Sequence, residues 1–149
     1  MKRFILPIMV LLPFSAMASI PEVQKLTKSF TSNNKASAVN ISKQMLKMMG
    51  DDRAGMEYVD NIIVLTSNNK SAAKAINKRT QRITKKHKLE NLATLNKNKA
   101  TTSVYVLSSN DKITEAIVLI AEKKKSVLIN ISGNIPQEFA TTLLSTLQF

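Results

Sequence analysis

The sequence predicts an α+β fold, in which a single mixed or antiparallel sheet carries helices packed on one face. Two observations support this class. Apolar residues recur at helical spacing in several early segments, and alternating or continuous apolar runs follow one another late in the chain. Strands that are grouped late, with helices interspersed early, indicate the element order α-β-α-β-α-β-β-β-β-α.

The first part of the chain contains two short predicted helices with a strand between them. Apolar side chains at i, i+3 and i+7 predict a helix within Pro21–Phe30, which the polar segment 31–37 ends. A short strand is predicted at 38–41. Ser42 can then cap a second helix, for which Gly50 is a natural C-terminal stop.

The middle of the chain contains the longest predicted helix, which extends over about Lys70–Lys88. It follows the continuous apolar run Ile62–Leu65, which is typical of a strand covered on both faces. The inward stripe of the helix is expected to consist of Ala72, Ala73, Ile76, Thr80 and Ile83.

The last part of the chain predicts a four-strand meander and a final helix. The strands are expected at 89–95 (where the alternation is loose), 104–107, 113–121 and 127–131. Asn110 and Asp111 predict a tight turn of the positive-φ kind. Gly133 is expected to end the meander, and Pro136 is expected to open the helix. The apolar face of that helix is expected to consist of Phe139, Leu143 and Leu147.

Residues 1–18 have the three parts of a secretory signal peptide. A positive start is followed by the apolar stretch 4–14, and Ala16 and Ala18 then place small side chains before a cleavage site. We therefore expect cleavage between Ala18 and Ser19. A membrane anchor does not fit, because the stretch is shorter than the roughly 20 residues that span a bilayer and contains two prolines.

The remaining residues, 19–149, suit a single α+β domain. The chain has no cysteine, which excludes disulfides, thiolate metal sites and a lipid-bearing N-terminal cysteine. The formal net charge is +12, and it becomes +10 once Lys2 and Arg3 leave with the signal peptide. We expect an exported, soluble protein, periplasmic or secreted, that is not a lipoprotein. Nucleic acid would suit the charge but not this location.

The longest predicted helix carries a row of cations at i, i+4 spacing. The row consists of Lys70, Lys74, Lys78, Arg82 and Lys86. Like charges at this spacing destabilise a helix by roughly 0.2–0.5 kcal/mol per pair, so the row opposes the helix that carries it. One interpretation is a stripe that binds a polyanion, such as a phosphorylated glycolipid, anionic lipid headgroups or an acidic partner. The other is a solvated outer face in a lysine-rich protein.

The sequence contains no recognised catalytic, metal or cofactor motif. The single histidine, His87, has no second ligand and no nucleophile motif to serve. Four methionines within 45–56 offer soft sulfur to Cu(I), but Met45 and Met49 are interpreted as core filling. Asp51–Asp52 are interpreted as turn residues, since the spacing of a calcium loop is absent. We expect no enzymatic activity and no cofactor.

Three segments resemble the family named domain of unknown function 4252. They are SAVNISKQMLKMM (Ser37–Met49), YVDNIIVLTSNN (Tyr58–Asn69) and VYVLSSNDKITEAIVLIAEKKKSVLINISGNI (Val104–Ile135). They are similar to the family's strand and methionine-bearing helix, its buried strand before the long helix, and its closing meander. The resemblance implies a small exported protein or lipoprotein of the bacterial envelope, with no established catalytic residues to carry over. The missing cysteine separates this sequence from the lipoprotein members.

The expected function is that of a non-enzymatic binding or accessory module, with a protein or an anionic envelope surface as partner. The alternative is a protein–protein component of envelope-stress signalling through an extracytoplasmic sigma factor. A hydrolase with an unrecognised site is the third hypothesis. The open edge of the meander is a further candidate partner site, because unpaired edge groups accept an added strand. Converging titratable side chains in a pocket would favour an enzyme, whereas a surface that displays the lysine row would favour binding.

Overall fold

A computed structural model of the chain describes residues 20–48 and 56–139. The elements are α1 (Pro21–Ser32), β1 (Ser37–Ser42), α2 (Lys43–Met48), β2 (Val59–Ser67), α3 (Lys70–Lys86), β3 (Glu90–Lys97), β4 (Ala100–Ser109), β5 (Lys112–Ala121) and β6 (Ser126–Pro136). A single 3₁₀ turn at Met56–Tyr58 precedes β2, and residues 137–139 are helical.

The six strands form one antiparallel sheet in the order β1-β2-β6-β5-β4-β3. Strands β3 to β6 form the predicted meander. Strand β6 also pairs with β2, where Val64 lies opposite Ile129, and this pairing joins the meander to β1 and β2. The predicted α+β class, the single sheet and the order of elements are confirmed.

The central strands are buried on both faces, because β2, β5 and β6 are apolar at successive positions. One face packs against α1 and α3, which contribute Val23, Leu26, Ile76 and Ile83 to it. The sheet side of this layer consists of Ile63, Leu65, Ile117, Leu119 and Leu128. Leu46 of α2 packs on the opposite face, together with Tyr58 and Phe139. A sheet with two apolar faces must be covered on both of them. The second face is covered in part by α2, by the 3₁₀ turn and by the helical residues 137–139.

The start of α2 agrees with the sequence prediction, but its surface does not. The Met45 backbone N–H donates to Ser42 Oγ at 3.3 Å, which is the predicted N-cap. Met45 is 45% exposed, so its interpretation as core filling is wrong. Only Leu46 of α2 is buried, because a six-residue helix presents less than two turns to the sheet. Met49 and Gly50 lie outside the described residues.

The turns of the meander follow the predicted chemistry, whereas its end does not. Asn110 and Asp111 have φ values of 53° and 62°, as the positive-φ turn requires. The prediction that Gly133 ends β6 is wrong, since the strand continues to Pro136. Gly133 is required by a close approach instead, because a Cβ there would overlap the Tyr58 carbonyl oxygen.

The predicted final helix lies partly outside the described residues. Pro136 is the last residue of β6, so helical structure starts one residue later than predicted. The ring of Phe139 packs against Tyr58 with 5.3 Å between centroids. Leu143 and Leu147, the rest of the predicted apolar face, are not among the described residues.

Candidate anion-binding face

Helix α3 is oriented by its cap and by its apolar stripe. The Ala72 backbone N–H donates to Asn69 Oδ1 at 2.9 Å, which starts the helix directly after β2. All five residues of the predicted inward stripe are buried. Ile76, in the middle of the stripe, is fully buried against the sheet. The polar side of α3 therefore faces outward.

The predicted row of cations lies on that outer side. Lys70, Lys74, Lys78, Arg82 and Lys86 are all exposed. Each i, i+4 step advances roughly 40° around the helix axis, so the row winds toward α1 at its C-terminal end. There Lys86 Nζ donates to Glu22 Oε2 of α1 at 2.6 Å. Among the described residues, the other four have no carboxylate within ion-pair distance.

A groove between α1 and α3 extends the row. Its volume is about 200 Å³, and it is lined by Glu22, Lys25, Arg79, Arg82, Ile83 and Lys86. Four of these side chains are cations and one is an anion, so the groove attracts negative charge. The Arg79 guanidinium carbon lies 5.6 Å from the centre of the Phe30 ring, which fixes this cation over an aromatic face.

A second hollow lies on the other flank of α3, toward the meander. It has a volume of about 240 Å³ and is lined by Gln81, Thr84, Lys85, Lys88, Leu89 and Tyr105. Lys85 and Lys88 are exposed at its rim. Cationic side chains therefore flank the C-terminal half of α3 on both sides.

The carboxylate of Glu22 is the acidic group of the first groove. Besides Lys86, it contacts His87, whose Nε2 lies 3.0 Å from Glu22 Oε1. The hydrogen bond from Lys86 is the main reason that the pKa of Glu22 falls from 4.5 to about 2, with His87 adding to it and burial opposing it. This cluster was not predictable from the sequence, because Lys86 and His87 lie 64 and 65 residues after Glu22.

The hydrogen bond of His87 in the described part of the chain is made to the Glu22 carboxylate. Within the described part of the chain, no hydroxyl group is hydrogen bonded to either nitrogen of His87. Two titratable groups do converge with Lys86 at the edge of the groove, which is the arrangement that would favour an enzyme. Lys86 and His87 both contact the Glu22 carboxylate, which is the anion of this arrangement.

A second carboxylate, Glu115 on β5, lies on the interior side of the same layer and was not predicted as a site. It is only 8% exposed. Its Oε1 accepts hydrogen bonds from Asn130 Nδ2 at 3.1 Å and from Ser132 Oγ at 3.2 Å. Burial raises the pKa of Glu115, although these bonds oppose the rise. The sequence feature that could have indicated this site is the presence of an acidic residue within the apolar run of β5.

An acidic side chain of β2 pairs with a lysine of α2 and not with the cations of α3. Asp60 pairs with Lys43, with 3.5 Å between Oδ1 and Nζ. Ala18, Ser19 and Asp51–Asp52 lie outside the described residues. In the described part of the chain, no three histidine, cysteine or acidic side chains come together as metal ligands. None of the helices within 20–48 and 56–139 has the length and apolar character that crossing a membrane requires.

Comparison with known proteins identifies a family to which the chain is similar, but no curated relative. The model of the family described as Domain of unknown function (DUF4252) matches residues 30–141, about three quarters of the chain. The match runs from the end of α1 through the whole sheet, so it includes α3 and its cations. No curated protein matches the chain significantly.

Proposed function

The chain belongs to the family described as Domain of unknown function (DUF4252), and from this premise we propose that its mature form is an exported, non-catalytic binding module whose α3 face attaches to anionic lipid phosphate of the cell envelope. The observation that carries the proposal is the row Lys70, Lys74, Lys78 and Arg82. These cations are exposed and have no acidic partner among the described residues. They are thus available to an external anion.

The energetics favour an external partner for this row. Successive like charges destabilise α3, whereas each lysine or arginine near an anionic membrane surface contributes about 1 kcal/mol to binding. The groove beside α1 adds Lys25 and Arg79, which enlarge the cationic area beyond a single line. A surface of this kind binds phosphate groups at several points and weakens with added salt.

The test compares two charge reversals of equal size. Residues 19–149 are prepared as wild type, as Lys74→Glu plus Lys78→Glu, and as Lys123→Glu plus Lys124→Glu in the exposed β5–β6 turn. Co-sedimentation is measured with vesicles of phosphatidylcholine that contain phosphatidylglycerol, and with phosphatidylcholine alone. We expect the α3 variant to lose at least about tenfold in affinity and the turn variant to lose much less.

Three outcomes would contradict the proposal. The first is unchanged binding of the α3 variant, and the second is equal loss in both variants, which would indicate net charge alone. The third is equal binding to the neutral vesicles. Circular dichroism of each variant verifies that the helix content is retained.

A second candidate function rests on the exposed edge of the meander. Every residue of β3 is exposed, and Leu92 and Leu95 are 48% and 64% exposed. A row of unpaired backbone groups beside exposed leucines suits the addition of an extended segment from a protein partner, which is the contact that an accessory role in envelope signalling requires. A proline at Thr94 would block such pairing while leaving the vesicle binding unchanged.

A further inference from the structure

Helices α1 and α3 run antiparallel on either side of the groove that lies between them. At one end Lys86 of α3 donates to Glu22 of α1, and at the other end Arg79 of α3 lies over the ring of Phe30 in α1. Between these contacts lies Ile83, which is only 7% exposed and gives the groove an apolar floor. Contacts between the two helices therefore fix the groove at both ends.

Three cations of the groove lie free of acidic partners in the described part of the chain. They are Lys25, Arg79 and Arg82, none of which has a carboxylate within ion-pair distance there. Arg79 and Arg82 are about one helical turn apart on the groove side of α3. Guanidinium groups bind phosphate oxygens in bidentate pairs, so a groove with two arginines is suited to a phosphate ligand.

The anion among the residues that line the groove is Glu22. Its side chain is 27% exposed, and it accepts a hydrogen bond from Lys86 at 2.6 Å and contacts His87 at 3.0 Å. The bond from Lys86 is the main reason that the pKa of Glu22 is about 2, so this carboxylate stays ionised at neutral pH. One carboxylate against four lining cations leaves the groove with a positive charge that a ligand can neutralise.

We propose that the groove binds a phosphate group with two negative charges, and that the Glu22 carboxylate holds the place of this ligand on Lys86 until it binds. A phosphomonoester has a charge of about −1.5 to −2 at pH 7 and three acceptor oxygens, whereas a carboxylate has one charge. The phosphate therefore displaces Glu22 from Lys86 and also bonds the two arginines. This inference rests on the proposed attraction of α3 for lipid phosphate, and it names the headgroup chemistry and an internal competitor for it.

The first experiment titrates the mature protein, residues 19–149, with glycerol 3-phosphate, which is a free phosphomonoester. It compares wild type with Glu22→Gln and with Glu122→Gln, whose carboxylate is exposed in the β5–β6 turn, so that both variants gain one unit of net charge. We expect Glu22→Gln to bind about fivefold more tightly, because Lys86 is released, and Glu122→Gln to bind less than about twofold more tightly. Nuclear magnetic resonance follows the titration, and the side-chain Nε–H signal of Arg79 is expected to shift.

A second pair of variants tests the location of the site on α1. Lys25 and Lys28 are both exposed, but Lys25 lines the groove and Lys28 does not. We expect Lys25→Gln to weaken the binding of glycerol 3-phosphate about fivefold and Lys28→Gln to weaken it less than about twofold. Both substitutions replace an exposed side chain, so the fold is expected to be retained, which circular dichroism verifies.

Vesicles distinguish the two sources of such a phosphate group. Phosphatidic acid presents a phosphomonoester at the membrane surface, whereas phosphatidylglycerol presents a phosphodiester with a single charge. Vesicles of phosphatidylcholine with either lipid are matched in zeta potential, and binding is measured by co-sedimentation. Binding to phosphatidic acid that is at least about threefold tighter, with a smaller preference in Lys25→Gln, assigns the ligand to a lipid headgroup. Equal binding to both lipids, together with binding of glycerol 3-phosphate, assigns it to a free phosphomonoester.

The proposal is overturned if neither wild type nor Glu22→Gln binds glycerol 3-phosphate, or if the Arg79 signal does not shift. Equal effects of the two glutamate variants, or of the two lysine variants, would likewise contradict it. The proposed function fails differently, since the reversal of Lys74 and Lys78 would then leave vesicle binding unchanged. The binding of glycerol 3-phosphate is measured without a membrane, so the groove is tested in either case.

Discussion

Glu22 and Glu115 are acidic side chains at the same end of α1, but they face opposite sides of the layer formed by α1 and α3. Glu22 lies at the surface, where Lys86 lowers its pKa to about 2. Glu115 lies in the interior, where burial raises its pKa. The outer side of the layer is rich in cations that are available to ligands, whereas the inner side holds neutral donors and apolar contacts. The same two helices thus place exposed cations on one side of the layer and the buried core on the other.

The largest expected effect is on the inner side. Ile76→Ala removes a fully buried side chain from the contact between α3 and the sheet, and we expect the free energy of unfolding to fall by about 2–5 kcal/mol. Urea denaturation measures this loss. Lys74→Ala, two positions away on the exposed side, is the matched control and is expected to stay within about 0.5 kcal/mol of wild type. A similar loss in both variants would remove the distinction between the two sides.

A smaller effect is expected from Glu22 at acid pH. Its folded-state pKa lies below its ordinary value, so its contribution to stability is complete above about pH 4.5 and is lost as the pH falls toward 2. We expect Glu22→Gln to be less stable than wild type by up to about 1 kcal/mol at pH 6, since Lys86 is largely solvated. The difference is expected to disappear near pH 2.

Urea denaturation across that pH range measures the Glu22 effect. Glu122→Gln is the control, because its carboxylate is exposed in the β5–β6 turn. A gap between Glu22→Gln and wild type that widens as the pH falls would contradict the assignment of the ion pair.

The effect of Lys78→Glu on stability is expected to have a sign opposite to its effect on binding. The new carboxylate faces Lys74 and Arg82 at i, i+4 spacing, so two repulsive pairs become attractive. We expect α3 to be stabilised by about 0.8–2 kcal/mol while vesicle affinity falls. Thermal unfolding and co-sedimentation on the same sample measure the two changes. A loss of both stability and binding would show that Lys78 has a structural role.

The order of elements was predictable from the sequence because their apolar periods are strong. The run Ile62–Leu65 requires a strand that is covered on both faces, and the apolar stripe of α3 requires one buried helix face. The packing of α3 on the sheet meets the second requirement and contributes to the first. The end of β6 was not predictable from Gly133, because the requirement for glycine comes from the distant Tyr58 backbone. Met45 was misassigned for a related reason, since exposure depends on which turn of α2 reaches the sheet.

The residues of the candidate site were predictable only where they lie close together in the sequence. The cations of α3 follow one another along the sequence, and their exposure followed from the position of the inward stripe. The pairing of Lys86 and His87 with Glu22 depends on how α1 lies beside α3, which no spacing within either helix encodes. The same holds for Glu115, whose partners come from β6.

The position of β6 between β2 and β5 has a consequence for the order in which the chain can fold. Hairpins from β3 to β6 pair neighbouring strands and can form early, but β2 waits for β6, where Val64 meets Ile129. A ribosome releases the chain from its N-terminus, so α1, β1, β2 and α3 are all synthesised before the central strand β6. Until β6 is made, the sheet that covers their apolar faces is incomplete. The contact between the first half of the chain and the meander is therefore completed only after β6, near the end of the chain, has been made.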